Sequence, residues 1–422
     1  MEKDKDKQIC WGIIGAGSVC RVKSAPAMNK IPGSRIAAVM RRTGEKAREF
    51  AALHNIPRWY DGADALLSDP DVNAVYIATP PGSHRELTLK AAAAGKSVYV
   101  EKPMARNWQE CRDMISACKE AGVPLFVAYY RRMLPNYRKI KELVDAGVIG
   151  TVRSVHIRMN KPVNPDFDRD PGNWRVQPEL AGGGYFYDLA SHQLDFLDYL
   201  LGPVTDACGI ASNQADLYPA EDIVTGSFRF ESGVQGTGNW CFTAAKSDEE
   251  DLITLTGSKG VLRWPTFAGY YVDLKTDAKP DAIRFHFDMP EHIQQPLIET
   301  IVRELQDWMV HDRSDIPLKY KAPDSMEASA ADDATGEMAG SADAAGPADS
   351  AGSADSTGFA GSAGSADSTG FAGSAGSADS TGFAGSAGSA DSGDEVRRCP
   401  STGITAARTN RVMEALTGKN PM

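Results

Sequence analysis

The stretch Ile9-Cys10-Trp11-Gly12-Ile13-Ile14-Gly15-Ala16-Gly17-Ser18-Val19-Cys20 decides how this chain is read. Its first six residues form an apolar run of strand length. The run breaks at Gly15-Ala16-Gly17, and helical spacing follows to about Asn29. A strand, a glycine turn and a helix in that order make the β-α unit that binds a dinucleotide. Gly15 permits the tight turn, and Gly17 lets the backbone approach a pyrophosphate resting on the helix N-terminus. Ala16, Ser18 and Val19 complete the loop. Cys20 stands where such turns usually carry a third glycine, which loosens the packing of helix on strand or widens the turn.

Outward from this unit the alternation repeats. Further strands are predicted at 35–40, 74–78, 97–100 and 125–128, with helices at 45–53, 84–94 and 108–121. Near-continuous apolar strands separated by helices imply a parallel, doubly wound sheet. After about residue 152 the pattern changes to strands at 153–158, 223–230, 234–243, 252–256, 260–264 and 270–274. Helices are predicted at 185–201 and 296–311. The expected fold class is an α/β Rossmann domain plus an α+β domain with a mostly antiparallel open sheet.

Composition sets the boundaries. Residues 324–395 hold thirteen Asp and Glu and no Lys or Arg, and they repeat STGFAGSAGSAD three times from Ser356. One Phe per repeat supplies too little apolar area to offset the entropy of ordering. This segment is expected to be an acidic, disordered insertion. Without it the chain balances 45 basic against 43 acidic residues, so the net charge of -11 says nothing about the partners of the folded body. Helical spacing returns at 402–416, with Ser401 or Thr402 as the N-cap. The expected domains are 1–128 (dinucleotide-binding), 129–323 with 396–422 (substrate), and the insertion 324–395 between the two parts of the latter.

Several residues carry chemistry. At the end of the second strand stand Arg41 and Arg42 where an acid commonly binds the ribose 2′-hydroxyl of NAD. Two guanidiniums suit a 2′-phosphate, hence NADP, although they also fit as solvated loop charges. Thr79, Pro80 and His84 follow the 74–78 strand, and Glu101 and Lys102 follow the next, at strand ends where open α/β sheets bind ligands. Lys102 beside a nicotinamide has the chemistry of a general acid. Downstream, Gly182-Gly183-Gly184 precedes Asp188 and His192, which share a face if the helix is regular. An Asp-His pair can tune a histidine for proton transfer, but such a pair is also common on surfaces.

Together these residues resemble the Gfo/Idh/MocA oxidoreductases, over nearly all of the chain outside 324–395. The most specific part is Glu101-Lys102-Pro103 combined with Asp188 and His192. The glycine turn, Thr79-Pro80 with His84, the segment 135–150 and Pro400-Ser401-Thr402-Gly403 support it. The resemblance implies that Lys102 is catalytic and contacts both nicotinamide and substrate, with a cis Lys102–Pro103 bond. It implies that His192 exchanges the proton of the reacting hydroxyl. Asp188 would bind that hydroxyl or orient His192, and Trp174 and Arg175 would lie near the substrate. Tyr130 departs from the family pattern, which has Asn there. The arginine pair matches the NADP-using branch.

The function expected is reversible hydride transfer between NADP(H), with NAD less favoured, and a sugar-, polyol- or inositol-like alcohol or ketone. Two rivals are an NAD-dependent glycosidase of the same family and a non-enzymatic NADP sensor. No metal site, nucleic-acid surface or membrane span is implied. The charged N-terminus and seven scattered cysteines are expected of a cytoplasmic protein. Dimerisation through the antiparallel sheet is a further expectation.

Overall fold

Six parallel strands build the first sheet: β1 (Ile9–Ile14), β2 (Ser34–Met40), β3 (Arg58–Tyr60), β4 (Ala74–Ile77), β5 (Ser97–Val100) and β6 (Leu125–Val127), in the order β3-β2-β1-β4-β5-β6. The computed structural model describes residues 8–17, 19–170, 172–310, 399–420 and 422. Residues 1–7, Ser18 and the acidic segment 324–395 lie outside the described residues. Every residue of β1, β4, β5 and β6 is buried, which explains why these strands read as unbroken apolar runs. The strand order reverses between β1 and β4, and a ligand crevice opens at the carboxyl ends of such strands. β3 escapes the sequence pattern because it is a three-residue edge strand with no buried residue.

The second sheet has eight strands: β7 (Val152–Pro162), β8 (Val204–Ser212), β9 (Ile223–Phe230), β10 (Gln235–Ala244), β11 (Glu250–Gly257), β12 (Gly260–Trp264), β13 (Tyr271–Thr276) and β14 (Lys279–His286). Their order is β14-β13-β12-β11-β7-β10-β9-β8. Only β7 and β10 pair in parallel; the other pairs are antiparallel. β8 and β14 were not expected. Both are outer strands with few buried residues, and they lack the alternation by which a strand is recognised.

One face of this sheet packs on the helix Ser191–Leu201. Trp240 donates through Nε1 to Gln193 Oε1 at 2.7 Å, and Gln193 Nε2 donates to Thr266 Oγ1 at 3.1 Å. Phe186 and Phe196 meet Trp240 and Trp264 edge-on. The same helix carries Asp195, bonded to the fully buried Arg132 through both carboxylate oxygens at 2.8 and 2.5 Å. A paired buried charge of this kind specifies an arrangement more than it adds stability.

The final helix, Gly403–Leu416, begins at Thr402, whose side chain accepts from Thr405 N, as expected of an N-cap. It packs against both halves. Ser401 brackets Val127 of β6: Val127 N–H donates to Ser401 O at 3.0 Å and the Ser401 hydroxyl donates to Val127 O at 2.7 Å, while Asn410 Nδ2 donates to Ala105 O at 2.7 Å. Its other face holds Asp198 of the helix behind the second sheet, through Arg408.

Candidate functional site

The glycine turn has the shape its sequence requires. Gly15 adopts φ +88°, and a Cβ there would lie 2.5 Å from Thr79 Cγ2. A side chain at 15 is therefore excluded twice, by conformation and by space. At Gly17 a Cβ would meet nothing nearer than Gly15 O at 4.0 Å, so the backbone faces open room. Cys20 is fully buried, and the expected helix opens as a π-helical turn, Cys20–Ser24, before Ala25–Lys30. The turn is thus widened rather than loosely packed. Burial, with the Glu101 charge behind it, pushes the Cys20 thiol up to about 12 and keeps it protonated. Arg41 and Arg42 follow β2 directly; Arg42 is exposed and no acid stands among residues 41–43. This is a fitting cradle for a dinucleotide.

Glu101 and Lys102 are neighbours that part company. Glu101 turns inward, where its carboxylate accepts from the Tyr76 hydroxyl and from Gln294 Nε2 at 2.8 Å. Lys102, before a cis peptide bond to Pro103, reaches the second half of the protein. Its Nζ donates to Asp188 O at 2.8 Å and to the Asp188 carboxylate. Arg175 Nε stands 3.3 Å from the other Asp188 oxygen, and its guanidinium lies over the Trp174 ring at 4.5 Å. Burial alone would raise the Asp188 carboxyl, but the Lys102 and Arg175 charges outweigh it and hold it below the usual range. Asp188 is a carboxylate at neutral pH.

The glycines before Asp188 make this approach possible. Gly182 has φ +86°, and a Cβ there would lie 2.4 Å from Arg106 O on the first half of the protein. Residues Phe186–Ala190 then form a π-helical turn, and the α-helix starts only at Ser191. The continuous helix expected over 185–201 is therefore interrupted, and with it the simple face-sharing of Asp188 and His192. No hydrogen bond joins them. His192 Nδ1 is buried and has no partner. The ring instead sits among Tyr129, Tyr130 and Phe267, with centroids at 6.1, 5.4 and 5.9 Å. Burial, then the Lys102 and Arg131 charges, push its pKa well below the ordinary histidine value, so the ring is neutral at pH 7.

His84 is the other departure from expectation. It is fully buried, and its Nδ1 and Nε2 lie 3.1 and 2.8 Å from the carbonyls of Met104 and Thr79. Both nitrogens face backbone carbonyls, and the neutral ring donates to one of them at a time, so His84 ties the loops after β4 and β5 together instead of presenting a nitrogen to a ligand. Thr79 Oγ1 accepts from Ser83 Oγ at 2.7 Å, and Pro80 leads into the short turn Pro81–Ser83. Arg131, Phe267 and Gln294 were not singled out from the sequence. Single polar or aromatic residues far apart in the chain carry no spacing signal, and the fold alone brings them here. Among the described residues no group of three or more His, Cys, Asp or Glu has the geometry of a metal site.

A dinucleotide cradle, with a lysine at the end of the neighbouring strand crossing to an Asp on a second, antiparallel sheet domain, defines a nucleotide-dependent oxidoreductase acting on CH–OH groups. The comparisons agree. Residues 9–129 match the oxidoreductase family with an NAD-binding Rossmann fold, and residues 137–263 match the Gfo/Idh/MocA C-terminal domain. An oxidoreductase of Formosa agariphila is 40% identical over 299 residues, 70% of this chain and 91% of that one. The 1,5-anhydro-D-fructose reductase of Ensifer adhaerens is 31% identical over 55% of this chain and 69% of its own length. The solved structure of the aldose-aldose oxidoreductase from Caulobacter crescentus, complexed with glycerol, superposes with a TM-score of 0.62 at 27% identity, covering 72% of this chain and 89% of that one. This chain belongs to the Gfo/Idh/MocA family of oxidoreductases.

Proposed function

We propose that the protein transfers a hydride reversibly between NADP(H) and a sugar-, polyol- or inositol-like alcohol or ketone, with Lys102 and His192 handling the proton. The observation that carries this is the Lys102–Asp188 bridge beside a neutral His192 whose buried Nδ1 has no partner. The cofactor, when bound, supplies the hydride chemistry. Gly15, Ala16, Gly17 and Val19 would hold its pyrophosphate, and Thr79 and Pro80 would line its path; Glu101, whose carboxylate turns inward, stands behind Lys102 instead. Arg41 and Arg42 take the 2′-phosphate and so favour NADP over NAD.

In the direction of oxidation the neutral His192 imidazole accepts the hydroxyl proton. The Lys102 ammonium holds the oxygen as it gains negative charge, and Asp188 keeps that ammonium aimed. In reduction the same proton returns to the carbonyl oxygen. Trp174 and Arg175 border the substrate, and Arg175 holds Asp188 from its far side. The names of the relatives, a fructose-derivative reductase and an aldose oxidoreductase, support a carbohydrate-like substrate.

All seven cysteines are free thiols and five are buried, which suits a reducing cytoplasm. No helix among the described residues is long and apolar enough to cross a membrane. The proposed assembly is a dimer through the open face of the second sheet. The domain limits proposed are 1–128 and 129–323 with 396–422.

The direct test is a panel of ketoses, inososes and anhydro-sugars followed by NADPH absorbance, with NADH alongside. Oxidation of NADPH by at least one class, with weaker use of NADH, is the expected result. A tightly retained dinucleotide with no net change in added NADPH would overturn the exchange of cofactor.

A further inference from the structure

The connection between β14 and the helix Gln295–Val310 leaves the second sheet and lies against the first, where it meets the end of β5 and the π-helical turn after β1. Gln294 is 1% exposed. Its Nε2 donates to Glu101 Oε1 at 2.8 Å, and its Oε1 accepts from the Tyr99 hydroxyl at 3.3 Å. The Tyr76 hydroxyl donates to the same Glu101 oxygen, and the Lys102 N–H donates to Glu101 Oε2 at 3.2 Å. Three donors thus fix a buried carboxylate one residue before Lys102, and among the described residues no cation pairs with it. Of those three, only the Gln294 amide comes from outside the first sheet and its strand ends.

Two residues earlier, His292 Nδ1 donates to the carbonyl of Val22 at 3.1 Å. Val22 lies in the π-helical turn just after the glycines. Glu291 reaches Lys30, at the end of the helix that follows this turn, at 2.6 Å. One short segment therefore grips the dinucleotide turn with one side chain and the reacting strand end with another.

We propose that residues 291–294 are a positioning strap. Gln294 aims Lys102 by fixing the Glu101 carboxylate, and His292 holds the dinucleotide turn in shape. The proposal rests on the role given to Lys102 above. A buried acceptor that loses a donor is poorly solvated and shifts toward a new one. A displacement on the order of 1 Å at the adjacent lysine costs about 100-fold in rate. The two halves of the strap should accordingly fail in different ways.

The experiment measures steady-state kinetics and NADPH binding by fluorescence titration in Gln294→Leu, His292→Leu and Gln294→Glu, with thermal unfolding as the check on folding. Gln294→Leu should lower kcat by about 10- to 100-fold while the NADPH Kd stays within about twofold. His292→Leu should raise the NADPH Kd several-fold, with kcat at saturation nearly unchanged. In Gln294→Glu two carboxylates face each other and share a proton at low pH. The protonated form can donate where the amide did, so the kcat ratio to wild type should rise as pH falls.

Wild-type kcat in Gln294→Leu overturns the strap. So does an equal loss of kcat and NADPH affinity in both Leu variants, which is what general loosening would give. If Gln294→Leu does not fold, a Gln294→Glu pH profile parallel to wild type overturns it. Retained turnover in Lys102→Met sinks the hydride-transfer mechanism itself, whatever the strap variants do.

Discussion

His84 and His192 are both buried, one beneath the loops of the first sheet and one on the helix behind the second. Burial lowers the pKa of each. What separates them is the fate of the ring nitrogens. Those of His84 face two backbone carbonyls, whereas His192 keeps a buried Nδ1 with no partner among three aromatic rings. An unsatisfied buried polar atom costs about 1–3 kcal/mol. That unrecovered cost in the free protein, with the Lys102 charge acting on the ring, fits the proton-handling role proposed for His192. Burial and residue type alone do not distinguish the two; the hydrogen-bond inventory does.

The largest expected effect comes from removing the charge that His192 faces. Lys102→Met should lower kcat by about 10²–10⁴ with NADPH binding intact, as read by pre-steady-state turnover and fluorescence titration. Near-normal turnover breaks the account of the site. His192→Phe should cost roughly 10²-fold in kcat and leave the melting temperature close to wild type. His84→Phe should do the reverse. It strips a donor from buried carbonyls and lowers stability by about 1–3 kcal/mol in denaturant unfolding, with kcat at saturating NADPH changed only a few-fold. Exchange of these two phenotypes would invert the comparison.

A finer test uses pH. A base must be neutral to accept a proton, and the His192 pKa is depressed well below 6.5. The kcat for oxidation should therefore stay flat as pH falls through 6.5 and decline only below it. A limb at or above 6.5 that vanishes in His192→Phe would show that the imidazole is charged more readily than its surroundings imply. The smallest effect concerns the cofactor alone. Replacing Arg41 and Arg42 together by Ala should raise the NADPH KM about tenfold and the NADH KM by less than twofold, since only NADPH carries the 2′-phosphate. Equal changes would place both arginines in solvent.

Local patterns explain what was legible in advance. β1, β5, β9 and β12 fall where the apolar runs and alternation place them, because central strands bury whole faces. The glycine turn and the Lys102 strand end were equally visible, being contiguous. β3, β8 and β14 were not, since strands with little burial lose the periodic signal. The π-helical turn at Phe186–Ala190 was invisible for another reason. Its residues have ordinary helical character, and only packing against Lys102 and Arg175 shows that the turn is wider.

The sequence by itself determined the two-part fold, the dinucleotide turn and the residues Lys102, Asp188 and His192, because each lies in a short stretch whose order constrains its backbone. Tertiary structure alone decided who meets whom. It paired Asp188 with Lys102 and Arg175 instead of His192, turned Glu101 away from its neighbour toward Gln294, and closed His84 on two carbonyls. Apart from the His84–Thr79 contact, five positions apart, those outcomes depend on distances between residues tens to hundreds of positions apart, which are set by how the sheets and helices pack and by no local pattern.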